Sequence, residues 1–229
     1  MAYSFCQTSY NPRLLILLTD QSEESVSAVN KIIDQQIQLN YDGSKPKNRC
    51  FISVIGYGRD VKDLASGWLT YFDAHPLRIE AYRKRVPDGM GNSIDVEVRR
   101  PVWVEASKEI GRYETYVDSI NLTIEVCKAW TADFIMSPIV VDCSAYCRVE
   151  QAITEIKELK DISTADGPVL FWGCYPNLQG MFSKMPDSWI SDMKRCDMNL
   201  EQYANGCFTP HGILTTLGLL TNMAEEPGI

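Results

Sequence analysis

The chain has 229 residues, of which 45% are hydrophobic and 23% are charged, and its formal net charge at pH 7 is -8. This length supplies enough apolar material for one sizeable domain. The acidic balance makes nucleic acid and anionic membranes poor partners, because both attract basic surfaces. No apolar run approaches the ~20 residues that span a bilayer, and the opening residues lack the pattern of a secretion signal.

Four apolar runs are typical of strands that are buried on both faces, and they cover residues 14–18, 50–58, 138–145 and 168–173. Each run is continuous rather than alternating, as in the interior of parallel sheets. Between the runs, apolar residues recur at helical spacing in three sets: Val26, Val29, Ile33 and Ile37; Val117, Ile120, Ile124 and Cys127; Val149, Ile153 and Ile156. This order predicts an α/β fold, a three-layer sandwich with a mainly parallel central sheet and helices on both faces.

The segment from about residue 79 to 104 has a different pattern. SIDVEV alternates strictly and follows the turn-forming PDGMGN, which predicts a hairpin or an antiparallel edge beside the second strand. Beyond residue 173 we expect a long loop, weak helical stretches at 187–204, a short strand at 206–208 and a helix at 211–220. No linker divides the chain, so we predict a single domain over residues 11–222 with terminal tails at 1–10 and 223–229.

The eight cysteines are scattered, and several lie in apolar runs. A chain of this length does not need disulfides for stability, so we expect free, mostly buried thiols in a reducing compartment. The closest pair, Cys143 and Cys147, lacks the second pair or nearby histidine of a zinc site. These features predict a cytoplasmic protein.

A polar turn follows the first strand directly, in the sequence LLILLTDQSEES. Ligands of open α/β sheets bind where loops leave the carboxyl ends of strands. Asp20, Ser22 and Glu24 supply oxygen ligands there, which suit a hard divalent cation such as Mg²⁺. The turn is therefore a candidate metal site.

The same residues resemble a known family. A strand that ends in a motif similar to Asp-x-Ser-x-Ser, a long helix and a strand ending near VIGYG are similar to a von Willebrand factor A (VWA) domain. The sequence PVWVE at 101–105 and a threonine that opens the next helix extend the resemblance. It covers most of the chain from about residue 11, and it is greatest for the stand-alone cytoplasmic type found in bacteria.

The resemblance implies a metal-ion-dependent adhesion site built from three loops. It places the first Asp of that site at Asp20, the first Ser at Ser22 and the Thr at Thr115. The second Ser falls on Glu24, which is a departure, and Ser25 lies one position too far along. The ion would be Mg²⁺, Mn²⁺ or Ca²⁺.

The last acid of the family site normally ends the fourth strand. In PIVVDCSAY that place falls on Ser144 and Ala145, so we expect the carboxylate to be missing. Asp142 could serve if the strand ended earlier. With two of the five usual ligands altered, the resemblance implies a degenerate site.

A helix-capping role explains the same residues without a metal. Ser22 is a good N-cap, and Glu23 and Glu24 in the first turn favour the helix dipole. Thr115 with Asp118 three residues later forms a capping-box-like start for the second long helix. Both interpretations of these residues stay open at this point.

The resemblance implies a non-catalytic protein-binding module that uses loops at the carboxyl edge of the sheet. We expect the partner contacts at Gln21, Glu23, Arg112, Tyr113 and Tyr146. Related stand-alone domains work beside AAA+ ATPases, kinases or phosphatases, so such a protein is the expected partner.

Two other functions stay open. An enzyme on a Rossmann-like sheet could use the same crevice, with Asp20, Glu24 and Cys143 as its titratable groups. The distant His211 makes a weak partner for Cys143, and the sequence has no P-loop or nucleophile elbow. A structural subunit with its partner face on the hairpin is the third possibility.

Overall fold

The computed structural model describes residues 7–87, 93–108, 113–145 and 148–173. The strands are β1 (Arg13–Thr19), β2 (Tyr41–Asp42), β3 (Lys45–Pro46), β4 (Cys50–Tyr57), β5 (Val61–Trp68), β6 (Arg78–Pro87), β7 (Ser93–Val102), β8 (Ile139–Asp142) and β9 (Leu170–Gly173). The helices are α1 (Glu23–Leu39), α2 (Leu69–Ala74), α3 (Tyr113–Asp133) and α4 (Ile153–Asp161), and a 3-10 turn spans Val149–Gln151.

The central sheet has the strand order β5-β4-β1-β8-β9. The β1 strand pairs in parallel with β4 and β8, and β8 pairs in parallel with β9. The β5 strand closes one edge in antiparallel pairing with β4. The prediction of an α/β fold with a mainly parallel sheet and an antiparallel edge is confirmed.

Both faces of β1 are buried, which explains its continuous apolar sequence. Leu15 and Leu17 pack with the apolar residues of α1 on one side of the sheet. Leu14, Ile16 and Leu18 pack on the other side with residues of α3 and α4. Alternate side chains of a strand point to opposite faces, so helices cover the sheet on both sides, an arrangement compatible with a three-layer sandwich.

The predicted hairpin is present, but it lies elsewhere than predicted. The β6 and β7 strands form a separate two-stranded antiparallel sheet. The antiparallel neighbour of β4 is β5, which the sequence pattern did not indicate because exposed Lys62 and Asp63 interrupt its apolar residues. The prediction that the hairpin lies beside the second strand is therefore wrong.

Two further boundaries differ from the predicted ones. The β8 strand ends at Asp142 rather than at residue 145. The last apolar set is split between the 3-10 turn and α4, and Ile153 is 47% exposed at the start of that helix. The predictions for the loop, helices and strand beyond residue 173 fall outside the described residues. No helix in the described ranges is both long and apolar enough to cross a membrane.

A buried ion pair holds together the amino ends of three strands. Arg13 at the start of β1 donates from Nη2 to Asp166 Oδ2 at 3.1 Å and from Nη1 to the Ser137 carbonyl at 2.7 Å. The Ser137 N–H also donates to Asp166 Oδ2, at 3.2 Å. Because Ser137 precedes β8 and Asp166 precedes β9, this one carboxylate ties the starts of β1, β8 and β9.

Removing this carboxylate is expected to destabilise the fold strongly. Asp166→Ala removes one partner of the buried pair with Arg13, and such a loss costs about 3–5 kcal/mol. Glu158→Ala, which breaks the exposed pair with Lys128, should cost no more than about 1 kcal/mol. Urea unfolding of both variants measures the difference, and equal losses would contradict the role given to Asp166.

Candidate functional site

The strand order places a crevice at the carboxyl ends of β1 and β8. Within the sheet, β4 and β8 are the two neighbours of β1. The chain first runs from β1 outward to β4 and β5, and it then returns past β1 to form β8 and β9 on the other flank. Such a reversal of strand order is where ligands bind in open α/β sheets. Asp20 follows the last residue of β1, and Asp142 is the last residue of β8.

The Asp20 carboxylate is fully buried and is satisfied from two loops. Its Oδ1 accepts the Ser22 N–H at 3.1 Å, the Ser22 hydroxyl at 2.8 Å and the Ser25 hydroxyl. Its Oδ2 accepts the Ala145 N–H at 2.9 Å. Asp20 therefore joins the loop that follows β1 to the loop that follows β8.

Ser25, and not Glu24, takes the place beside Ser22. The hydroxyl oxygens of Ser22 and Ser25 are 2.6 Å apart, and the Ser25 side chain is fully buried, whereas Glu24 is exposed. Ser22 is the N-cap of α1 and accepts the Ser25 N–H at 3.3 Å. The third residue of a helix faces its N-cap residue, so Ser25 contacts Ser22 although it lies one position further along than the family pattern.

Asp142 ends its strand, so a carboxylate is present where one was expected to be missing. The side chain is fully buried. Its Oδ1 accepts the N–H of Ser144 at 3.2 Å and the hydroxyl of the same residue. Its Oδ2 accepts the Tyr116 hydroxyl of α3 at 3.1 Å. The sequence-based placement of the strand end at Ser144 and Ala145 failed because buried loop residues are as apolar as strand residues.

Adjacent strands thus end in the same local motif. In both Asp20-Gln21-Ser22 and Asp142-Cys143-Ser144 the carboxylate accepts the N–H and the hydroxyl of the serine two residues later. Side chains of Asp favour such turns, because they satisfy backbone donors that the strand leaves behind. The repeated Asp-x-Ser was a sequence signal for the second turn that the strand prediction passed over.

Tyr57 extends the second turn towards the end of β4. Its hydroxyl is hydrogen-bonded to the Ser144 hydroxyl, and its ring lies edge-on to that of Tyr116 with centroids 5.3 Å apart. Burial, and then the charge of Asp142, raise the pKa of Tyr57 well above its ordinary value, and Asp20 adds to the effect. The phenol is therefore a neutral hydrogen-bonding group at neutral pH.

Thr115 lies on the first turn of α3 and faces the loop after β4. Its hydroxyl donates to the Gly58 carbonyl at 3.1 Å. This bond anchors the start of α3 against the end of β4, next to the crevice. Its predicted role as a metal ligand stays a prediction.

Gln21 differs from the surface position expected for a partner contact. The residue is 6% exposed and has a φ of 59°, in the left-handed region that glycine favours. Its carbonyl accepts the Ser107 N–H at 2.9 Å, which holds a third loop at the crevice. A Cβ on Gly56 would lie 2.5 Å from Leu64 Cδ1 and 3.0 Å from Gln21 Cδ, so a larger residue there would have to displace the Leu64 side chain.

The other predicted site residues differ in exposure, and some of them lie outside the described residues. Glu23 and Glu24 are exposed on the first turn of α1. Tyr113 begins α3, and its side chain lies outside the described part of the structure. Arg112 and Tyr146 also lie outside the described residues, as does His211. Among the described residues, Glu23 is thus the predicted partner contact with an exposed side chain, and Glu24, a predicted metal ligand, is exposed beside it.

The oxygens of the first turn form a donor set that fits a hard cation. Asp20 Oδ1 and the two hydroxyls of Ser22 and Ser25 converge, and Ser22 is the partly exposed member of the three, since Asp20 and Ser25 are fully buried. Mg²⁺ accepts a few protein oxygens of this kind and keeps several waters. Within the described ranges no three histidine, cysteine or acidic side chains come together as a metal site, so an ion would depend on the hydroxyls.

Two buried thiols, those of Cys50 and Cys127, are held in the protonated form. Burial raises the pKa values of Cys50 and Cys127 to about 12, and a thiol needs a lowered pKa to react at neutral pH. Cys143 is fully buried and belongs to the apolar cluster on the α1 side of the sheet. These thiols pack in the core.

A comparison with protein-family models finds none that matches this chain, and a search of curated proteins finds no match.

The raised pKa of Tyr57 predicts a specific loss of stability at alkaline pH. The unfolded chain releases the phenol proton near the ordinary pKa of 10.0, whereas the folded chain holds it to higher pH. Stability from this group is therefore complete below pH 10 and falls as pH rises above it, by at most about 1.4 kcal/mol per pH unit.

Tyr57→Phe removes this dependence while keeping the ring. The variant should lose about 1 kcal/mol at pH 8 for the missing hydrogen bond, and its free energy of unfolding should then decline less steeply than that of the wild type between pH 9 and 11. Urea titrations at several pH values measure both slopes. Parallel slopes would show that Tyr57 titrates normally.

Proposed function

We propose that the protein is a non-catalytic binding module of the VWA type, which holds a partner protein at the carboxyl edge of its sheet around Asp20. The observation that carries the proposal is the convergence of Asp20 Oδ1 with the hydroxyls of Ser22 and Ser25 at the point where strand order reverses. This arrangement is similar to the adhesion site of that family, with Ser25 in place of the usual second serine.

The rest of the crevice supports binding rather than chemistry. The oxygens of both carboxylates accept hydrogen bonds from N–H and hydroxyl groups of the neighbouring loops and of α3. A general acid or base needs a proton-transfer atom within reach of substrate, whereas these groups fix the shapes of two loops. Rigid loops that present exposed residues such as Glu23 and Glu24 suit recognition of a protein surface.

The partner of this module is a protein with a basic patch opposite Glu23 and Glu24. By resemblance to stand-alone relatives, an AAA+ ATPase, a kinase or a phosphatase fits best, in the cytoplasm of a bacterium. The family resemblance supplies these classes, and the exposed acids of the first turn of α1 supply the electrostatic preference.

A cation is the second candidate ligand of the same turn. Asp20, Ser22 and Ser25 would hold Mg²⁺, Mn²⁺ or Ca²⁺, and an acidic side chain of the partner would complete the coordination. Bound, the ion would supply a positive charge to a site that otherwise attracts only basic groups. The two candidates therefore differ in the charge of the partner residue that enters the crevice.

Thermal unfolding with EDTA and then with Mg²⁺, Mn²⁺ or Ca²⁺ separates these candidates. A ligand that binds the folded state alone stabilises it by about 2.7 kcal/mol at a hundredfold excess over its dissociation constant. If a cation binds, the wild type and Glu24→Gln should gain stability, and Ser25→Ala should not. If the cation still stabilises Ser25→Ala but no longer stabilises Glu24→Gln, then Glu24 and not Ser25 is the ligand. No gain in any variant would remove the ion from the proposal.

Charge reversal tests the binding face itself. The immobilised full chain should first capture its partner from a lysate of the source organism. With the purified partner, Glu23→Lys should then raise the dissociation constant by about tenfold or more, because like charges face each other. Glu158→Lys on the distant surface of α4 is the matched control. A partner that binds Glu23→Lys and the wild type equally would place the interface elsewhere.

A further inference from the structure

The β6–β7 hairpin, called the ribbon below, projects from the domain with both faces open. Its strands have ten residues each, and nearly all the side chains of β6 are exposed. Two strands alone are marginally stable in water, and a third strand or a packing surface is normally needed. The ribbon therefore needs a neighbour beyond the contacts at its base.

The base of the ribbon is firmly held. Trp103 donates from its indole N–H to the Phe72 carbonyl at 2.6 Å, and its backbone N–H donates to the Asn30 side chain at 2.8 Å. Arg100 donates to the Ser27 carbonyl of α1 at 3.0 Å. The ribbon is thus a fixed arm, whose direction is set by α1 and α2.

The two faces of the ribbon differ in character. One face is mainly apolar in the outer part of the arm, where Tyr82, Val86, Ile94, Val96 and Val98 lie around a single charged residue, Lys84. Tyr82 and Ile94 on this face are 48% and 51% exposed. The opposite face carries most of the charges of the ribbon, and its charged members are Arg83, Arg85, Asp95, Glu97 and Arg99.

The two edges of the ribbon also differ, and this difference identifies the neighbour. The β6 edge is basic, with Arg78, Arg83, Lys84 and Arg85 against one acid, Glu80. Like charges on an edge strand prevent pairing with another copy. The β7 edge is acidic in its first half and basic in its second half, from Asp95 and Glu97 to Arg99 and Arg100. An acid-then-base strand complements itself when two copies run antiparallel.

We propose that two copies of this chain associate by antiparallel pairing of their β7 strands, with Val98 on the twofold axis. In this register Glu97 of each copy lies directly opposite Arg99 of the other, on the same face. Each chain already pairs these two exposed side chains within its own strand, with Arg99 Nε 3.1 Å from Glu97 Oε1, so the contact between copies extends this pair into a four-charge cluster on the axis. Opposite charges in directly opposed positions stabilise a strand pair, and an isologous contact makes the same pair twice. The described ranges contain no strand that pairs with this edge of β7.

The product is a four-stranded antiparallel sheet with the order β6-β7-β7-β6. The two apolar faces become one continuous surface, and the exposed edges of the new sheet are the basic β6 strands. These edges resist further addition of strands, so association stops at two copies. The Asp20 turn lies on a different part of the domain, so pairing of two copies through β7 does not depend on the binding function proposed for that turn.

A charge swap tests the register. Sedimentation of the full chain over a range of concentrations should show a monomer–dimer equilibrium for the wild type. Glu97→Arg or Arg99→Glu alone places like charges opposite each other and should weaken self-association by about tenfold or more. An equimolar mixture of the two variants restores opposite charges across the axis and should form a heterodimer.

The mixture also controls for effects on folding. Glu97→Arg places a second cation opposite Arg83 and breaks the pair with Arg99 within its own ribbon. These local effects persist in the mixture, so restored association can come only from contact between copies. Lys84→Glu changes the ribbon charge by the same amount on the outer strand and should dimerise like the wild type. A monomeric wild type, single variants that associate normally, or a mixture that stays monomeric would each overturn the proposal.

Discussion

The rest of the structure around the crevice depends on one carboxylate with two tasks. Asp20 Oδ1 organises the turn that starts α1, and Asp20 Oδ2 accepts the Ala145 N–H from the loop after β8. A buried acid is costly unless its lone pairs are satisfied, so both loops must keep the conformations that donate to it. The position of α1, the exit of β8 and the convergence of the two serine hydroxyls are consequences of this single requirement.

Much of the fold could be predicted from local sequence because burial of a strand or helix places apolar residues at characteristic spacings. Continuous apolar runs marked β1 and β4, and the helical spacing of Val26, Val29 and Ile33 marked α1. The edge strand β5 has no such pattern, since it is partly exposed to solvent and its charged residues interrupt the apolar run. The end of β8 was misplaced for the opposite reason, because Cys143 and Ala145 are buried without being part of the strand.

The candidate site was predictable in its first turn and unpredictable beyond it. Asp20 and Ser22 are local in sequence, and the N-cap geometry that brings Ser25 to Ser22 follows from ordinary helix rules. The contacts of Asp142 with Tyr116 and of Ser144 with Tyr57 join residues 26 and 87 positions apart. Only the packing of α3 and β4 against β8 creates them, and no local pattern carries that information. The metal and capping interpretations of the first turn also turn out to share one geometry, since the cap is what gathers the oxygens.

The buried thiols have a practical consequence for following motion in this protein. Cys50 belongs to the apolar cluster on the α1 side of the sheet, and Cys127 belongs to the cluster on the α3 side. Both are at most 2% exposed and hold their protons to about pH 12, so an alkylating reagent reaches them only when the layer above them lifts. The molecule therefore carries native thiols as chemical reporters on both sides of the sheet, and the relative labelling rates of Cys50 and Cys127 would tell which side opens first.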